Sequence, residues 1–138
     1  MTKNKIKIMV FGTFDVLHKG HLNFFEQARG LSPVPYLIAS VARDINVKRI
    51  KGAMPKNDEN KRLKKVQNCS FVDEALLGRE RAYLTHILRE KPAIIGLGYD
   101  QKAYTKGLKQ ELLRKGLKVK IVRLKPFKTH LYKSSKLK

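Results

Sequence analysis

The sequence predicts an α/β protein in which a parallel β-sheet is covered by helices on both faces. Short apolar runs alternate with amphipathic segments about five times along the chain, which is typical of parallel sheets with right-handed crossovers. A length of 138 residues suits one hydrophobic core, and no stretch has the composition of a linker. We therefore expect a single domain over residues 1–138.

Five runs have the composition of strands. The first four are short and apolar, as strands buried on both faces are, whereas the fifth alternates apolar and lysine side chains and predicts an edge strand. The runs are residues 6–11, 36–41, 71–77, 93–97 and 117–124. Together they predict a Rossmann-like three-layer sandwich with a five-stranded parallel sheet.

Four segments carry apolar side chains at helical spacing. Gly30 is a plausible end for the first, in which Leu22, Phe25 and Ala28 share one face, and Pro92 should end the third. The predicted helices are residues 18–29, 59–67, 81–90 and 106–115. Residues 43–60 are irregular and basic and contain glycine and proline, so we expect a loop before the second helix.

The charge of the chain points to anionic ligands. Thirty-one Lys and Arg against 11 Asp and Glu give a net charge of +20, and residues 102–138 hold 13 basic side chains and one acid, Glu111. Such a field attracts nucleotides, phosphorylated metabolites or nucleic acid. No apolar run approaches the roughly 20 residues that span a bilayer, the N-terminus lacks a signal sequence, and Cys69 is the only cysteine. We expect a cytoplasmic protein without a membrane partner.

Residues 12–21 place two histidines one helical turn apart, directly after the first strand. Gly12 lets the backbone approach a ligand, and the N-terminus of the next helix favours a phosphate. His18 and His21 can face one point, and Gly20 between them leaves room. Two alternatives are that the histidines only cap and pack the helix, or that they form half of a tetrahedral zinc site. The pairing at this turn favours the phosphate.

Three predicted loops meet at the carboxyl ends of the strands, where open parallel sheets bind ligands. They are residues 12–21, 42–51 and 98–101, and the basic tail at residues 128–136 is a fourth candidate by composition. The chain has no phosphate loop of the GxxxxGK[ST] type, no GxGxxG fingerprint and no GxSxG elbow.

The stretch Gly-Thr-Phe-Asp-Val-Leu-His-Lys-Gly-His at residues 12–21 resembles the HxGH signature of the cytidylyltransferase-like nucleotidyltransferases. Further segments follow in the order of that family, and the resemblance covers nearly the whole chain. They are Val-Ala-Arg-Asp at 41–44, Lys51-Gly, Arg62 before Val72-Asp73, Leu-Gly-Tyr-Asp-Gln at 97–101 and Ser-Ser-Lys at 134–136. Within the family, the first and fourth of these are most similar to archaeal-type FAD synthases, and bacterial glycerol-3-phosphate cytidylyltransferases are close relatives.

The resemblance implies transfer of a nucleotidyl group from a nucleoside triphosphate to a phosphate ester, with release of pyrophosphate. It implies that His18 and His21 stabilise the α-phosphate, that Lys51 meets the acceptor phosphate, and that Mg²⁺ arrives with the triphosphate rather than on a protein metal site. The residues implied near the nucleotide are Gly12, Thr13, Phe14, Asp15, Gly20, Gly98, Tyr99, Asp100, Gln101, Ser134 and Ser135. Those implied near the acceptor are Asp44, Arg62 and Lys128.

Several of these roles have alternatives. Asp15 could hold its loop, Asp100 could cap the next segment, and Lys51 or Arg62 could be an ordinary surface residue. The tail also departs from the family, which often has an arginine and an Ile-Ser-Thr-Thr run where this chain has Lys128 and Tyr-Lys-Ser-Ser at 132–135. Lysine keeps the charge of arginine but loses its bidentate fork.

The sequence leaves three functions in competition. The resemblance favours an adenylyltransferase that makes FAD from FMN and ATP, followed by a cytidylyltransferase that uses CTP and glycerol 3-phosphate or a similar phosphoalcohol. The charge suggests a basic nucleic-acid-binding module instead. We do not expect nucleic acid as a partner, because the HxGH turn is intact and aromatic residues for base stacking are sparse. Family members often form homodimers, and the sequence neither requires nor opposes one.

Overall fold

The five predicted strands form one parallel sheet in a computed structural model, which describes residues 4–78, 83–99, 101 and 107–126. The strands are β1 Ile6–Gly12, β2 Pro35–Val41, β3 Glu74–Leu77, β4 Ile94–Leu97 and β5 Lys120–Arg123. Their order is β3-β2-β1-β4-β5, with β5 at an edge as its alternating pattern predicts. The order reverses direction at β1, and ligands bind at such switch points in open α/β sheets.

Five helices connect or flank the strands. They are α1 Lys19–Arg29, α2 Asp44–Lys51, α3 Glu59–Gln67, α4 Tyr83–Glu90 and α5 Leu108–Arg114. Four match predicted helices, although residues 81–82 and 106 of the predicted spans lie outside the described residues. The prediction of a loop across α2 is wrong. This two-turn helix buries only Val47, so it has no apolar periodicity to detect, and Gly52 ends it in the left-handed conformation at φ 82°.

The sheet is buried on both faces, which confirms the three-layer sandwich. Ile8 and Val10 of β1 point to one side, where they pack with Phe25 of α1 and Val66 of α3. On the other side, Met9 and Phe11 pack with residues of α4 and α5. Alternation along one strand therefore serves two cores, as the apolar composition of the central strands predicts.

The carboxyl ends of β1, β2 and β4 lie side by side. Gly12 pairs with Val41 across β1 and β2, and the Ala42 N–H donates to the Gly12 carbonyl at 2.9 Å. Val10 pairs with Gly96 across β1 and β4. The three predicted ligand loops consequently leave the sheet at one place. Among the described residues, no helix has the length and apolar character needed to cross a membrane.

Candidate active site

The two histidines of the HxGH turn form a reciprocal cap at the start of α1. Gly20 N–H donates to His18 Nδ1 at 3.0 Å, and His18 N–H donates to His21 Nδ1 at 3.3 Å. A Ser or Thr and a Glu or Gln usually fill these positions of a capping box. Here the imidazoles stack on each other, with ring centroids 4.1 Å apart. We call this pair the histidine box.

The cap fixes the tautomer of each ring. Since Nδ1 accepts a hydrogen bond in both histidines, the proton of each neutral ring is on Nε2. Burial, together with electrostatic interactions with His18 and Lys51, lowers the pKa of His21 to about 4, against the effect of a hydrogen bond with the Val16 backbone. His21 is therefore a neutral N–H donor at pH 7. The box and the helix N-terminus can together stabilise negative charge on a phosphate.

Phe14 anchors the loop that leads into the box. Its φ is 52°, which is uncommon for a residue other than glycine, and its ring is buried against Phe25 at 5.1 Å and against His21 at 5.7 Å. A Cβ at Gly12 would lie 2.5 Å from Phe14 Cζ, so the glycine makes room for this ring. The resemblance implied only that Gly12, Thr13 and Phe14 bring backbone near the nucleotide. The packing role of the Phe14 side chain was not predicted.

Asp15 holds the same loop to the segment between α2 and α3. Its carboxylate accepts from the backbone N–H of Lys56 at 2.6 Å and of Asn57 at 2.8 Å, and the Asn57 side chain donates to the Asp15 carbonyl at 2.8 Å. Burial acts to raise the pKa of Asp15, but these hydrogen bonds outweigh it and the pKa is lowered. The loop-holding alternative considered for Asp15 accounts for these contacts.

Arg62 and Asp44, both predicted near the acceptor, bind each other. The side chain of Arg62 is fully buried and donates to Asp44 Oδ1 at 2.6 Å, so it is neither on the helix surface nor exposed to an acceptor. Asp44 Oδ2 accepts from the Glu59 N–H at 3.3 Å. The buried Arg62 does not fit the expected acceptor contact, because its donors bind the protein itself, whereas Asp44 is partly exposed and its acceptor contact stays a prediction.

The loop after β4 is held by Gln101. Its Oε1 accepts from the Gly98 N–H at 2.8 Å, and its Nε2 donates to the Phe11 carbonyl at 2.6 Å, which joins the loop to the end of β1. Arg123 of β5 donates to the carbonyls of Gly98 at 2.6 Å and Gln101 at 2.7 Å. Arg123 was not predicted at this site, although its place at the end of the edge strand was a usable signal. Tyr99 is exposed beside them.

Lys51 is a cation whose charge acts on the histidine box. It ends α2, it is exposed, and its charge acts on His21. Asp100, Lys128, Ser134 and Ser135 lie outside the described residues. Within the described ranges no group of three His, Cys, Asp or Glu side chains could hold a metal ion.

The sheet order and the histidine box at the carboxyl end of the central strand agree with the nucleotidyltransferase class that the family match and the relatives show. The chain belongs to the cytidylyltransferase-like family, whose model matches residues 9–138. It is 42% identical over 122 residues to an FAD synthase of Korarchaeum cryptofilum, covering 88% of this chain and 82% of the relative. It is 37% identical to an FAD synthase of Thermoplasma volcanium, with 96% and 92% covered.

A solved structure from Thermoplasma volcanium, described as a lipopolysaccharide core biosynthesis protein, also matches. Its TM-score is 0.81 and its sequence identity is 38%, and the match covers 88% of this chain and 98% of that one. This similarity confirms the predicted Rossmann-like fold.

Proposed function

We propose that this protein is an FMN adenylyltransferase, that is, an FAD synthase. A phosphate oxygen of FMN attacks the α-phosphorus of ATP, the bond from that phosphorus to the bridging oxygen of the β-phosphate breaks, and FAD and pyrophosphate form. The observation that carries the proposal is the histidine box at the N-terminus of α1. The identity to FAD synthases over most of both chains supports FMN as the acceptor.

The box suits this reaction because the nucleophile needs no base. A phosphate monoester is already ionised at neutral pH, so the protein has only to orient it and to stabilise the charge that grows on the α-phosphate and the leaving pyrophosphate. Neutral His21 needs neither to lose nor to gain a proton before its N–H turns from the Val16 backbone to a phosphate oxygen. Lys51 would offset the charge of the acceptor phosphate.

Exposed apolar side chains next to Lys51 and Asp15 in the sequence favour an acceptor with a large ring. Ile50 is 71% exposed and precedes Lys51, and Met54 is 58% exposed at the start of the segment that Asp15 holds. Val16, 51% exposed, follows Asp15. Exposed apolar residues beside a cation suit FMN, which carries a phosphate and a tricyclic ring. Glycerol 3-phosphate has no apolar body to cover them.

Mg²⁺ would be bound by the triphosphate oxygens, and it would offset their charge. Mg²⁺ commonly binds through substrate phosphates and keeps few protein ligands. The cytoplasmic location and the homodimer stay predictions, as do the roles of the tail residues.

The proposal is tested by combining ATP, CTP, GTP and UTP with FMN and with glycerol 3-phosphate, each with Mg²⁺. Pyrophosphate release and chromatographic detection of FAD are measured. We expect FAD and pyrophosphate in equal amounts with ATP and FMN. Preference for CTP with glycerol 3-phosphate would identify a cytidylyltransferase instead. No turnover, together with tight and salt-dependent binding of nucleic acid, would favour the binding module.

A further inference from the structure

Arg62 is the one fully buried Lys or Arg among the described residues. It lies in the first turn of α3, and four of the five N–H donors of a guanidinium are bonded. Nη1 donates to the carbonyls of Thr13 at 2.8 Å and Ala42 at 2.7 Å, and Nε donates to the Asn57 carbonyl at 3.0 Å. Nη2 donates to the Asp44 carboxylate at 2.6 Å. One side chain thus binds the segments that follow β1 and β2 and the segment before α3.

Burying this side chain costs free energy, and only arginine can form its set of hydrogen bonds. Removing a cation from water costs several kcal/mol, and one carboxylate with partial exposure repays it only in part. Three of the four bonds go to backbone carbonyls that diverge around a planar group. A lysine ammonium is a single point and cannot span them. The Arg62 side chain therefore holds these three backbone segments in fixed positions relative to one another.

The hydrogen bond from Arg62 to the Thr13 carbonyl connects Arg62 to the histidine box through Phe14. The next residue is Phe14, which has a positive φ of 52° and a ring buried against His21. Backbone in that conformation persists only where its surroundings hold it. The Arg62 guanidinium holds the carbonyl on one side of Phe14, and Asp15 is held on the other side by Lys56 and Asn57.

We propose that Arg62 is a positioning residue for nucleotidyl transfer, which holds the Thr13 carbonyl so that Phe14 keeps His21 in place. It acts through the loop and touches neither substrate. The inference rests on the proposed function for its kinetic test. It replaces the acceptor contact that the family resemblance implied for this arginine.

The test compares Arg62→Lys with the wild-type chain in the FAD assay and by NMR of the histidine rings. We expect kcat to fall about 100-fold, as a shift of about 1 Å in reacting groups can cause, with KM for FMN and ATP unchanged. We also expect the pKa of His21 to rise from about 4, because the ring loses its packing against Phe14. Arg114→Lys on the exposed face of α5 is the matched control and should change neither quantity.

Other results overturn the inference. A raised KM for FMN with unchanged kcat would place Arg62 on the acceptor, and unchanged kinetics would give it no part in the reaction. If Arg62→Lys does not fold, Phe14→Leu breaks the same connection one residue later, and it must lower kcat with KM unchanged. The pKa of His21 is measured without substrate. A wild-type chain that makes no FAD would therefore contradict the proposed function, while a pKa unmoved by Arg62→Lys would contradict the positioning role.

Discussion

The loops after β1 and β4 leave the same edge of the sheet, but the arginine that holds the first is buried and the arginine that holds the second is exposed. Charged groups fix the β1 loop, namely the buried Arg62 guanidinium and the Asp15 carboxylate. A neutral amide, Gln101, and the Arg123 side chain at the surface fix the β4 loop. Hydrogen bonds from a charged group are stronger where the group is buried, because water screens those at the surface. We infer that the loop carrying the histidines is the more rigid of the two, and that the β4 loop adapts more easily.

The largest effect is expected from removing His18, a side chain that the β1 loop positions. His18→Ala should lower kcat about 10²–10³-fold, the typical cost of losing one donor to a developing charge. It also removes the acceptor that caps α1 at Gly20, which typically costs about 1 kcal/mol of stability. His18→Asn separates the two effects, because asparagine is a good N-cap but lacks the imidazole N–H. Steady-state kinetics of both variants should show the same loss of kcat, and a near-normal kcat in either would remove His18 from the reaction.

The second effect is a pH dependence that the histidine box imposes on stability. The pKa of His21 is lowered from 6.5 to about 4, so the unfolded chain binds more protons than the folded one between these values. Stability conferred by neutral His21 is therefore complete above pH 6.5 and is lost as the pH falls towards 4, by at most about 3 kcal/mol. Urea unfolding from pH 8 to 4 measures it.

His21→Gln is the matched control for this pH dependence. Glutamine at the third position of the helix preserves a capping box but does not titrate. The free energy of unfolding of the variant should fall less than that of the wild-type chain between pH 6.5 and 4. Parallel curves would show that the His21 ring is not buried as described.

The sequence predicted that the two histidines share one turn because that signal is local, but their reciprocal cap was only an alternative. Ten consecutive residues contain both rings, the glycine between them and the strand end before them. The strands and four helices were also predictable from local sequence, because their apolar residues recur at the spacing of the buried face. Helix α2 was not predicted because it has one buried residue, Val47, and therefore no apolar periodicity in its sequence.

The role of Arg62 depends on partners that are remote in sequence. Thr13 and Ala42 are 49 and 20 residues away, and their backbone carbonyls leave no trace in side-chain composition. One usable signal existed, because Arg62 and the buried Val66 lie four positions apart on the apolar face of α3. A cation on a buried face indicates a bound carboxylate or several carbonyls. The family resemblance pointed instead to the acceptor.

The third effect is expected from Asp15, whose carboxylate holds the β1 loop together with Arg62. Asp15→Asn keeps one acceptor oxygen but loses the charge, and we expect it to cost about 1–2 kcal/mol at pH 7. The pKa of Asp15 is lowered below 3.8, so its contribution is present above that pH and lost as the pH falls further. The variant should therefore lose less stability than the wild-type chain in acid. Asp58→Asn, which keeps a good N-cap on α3, is the control, and an equal loss there would contradict a specific role.

The smallest effect is expected at the β4 loop. Gln101→Ala removes two neutral hydrogen bonds, to Gly98 and Phe11, and should cost about 1 kcal/mol of stability. We expect KM for ATP to rise and kcat to stay close to normal, because the histidine box does not depend on this amide. Gln101→Glu should be intermediate, since it still accepts from the Gly98 N–H but cannot donate to the Phe11 carbonyl. If Gln101→Ala lowers kcat as much as Arg62→Lys does, the two loops are equally rigid, and burial of the charged support is not what distinguishes them.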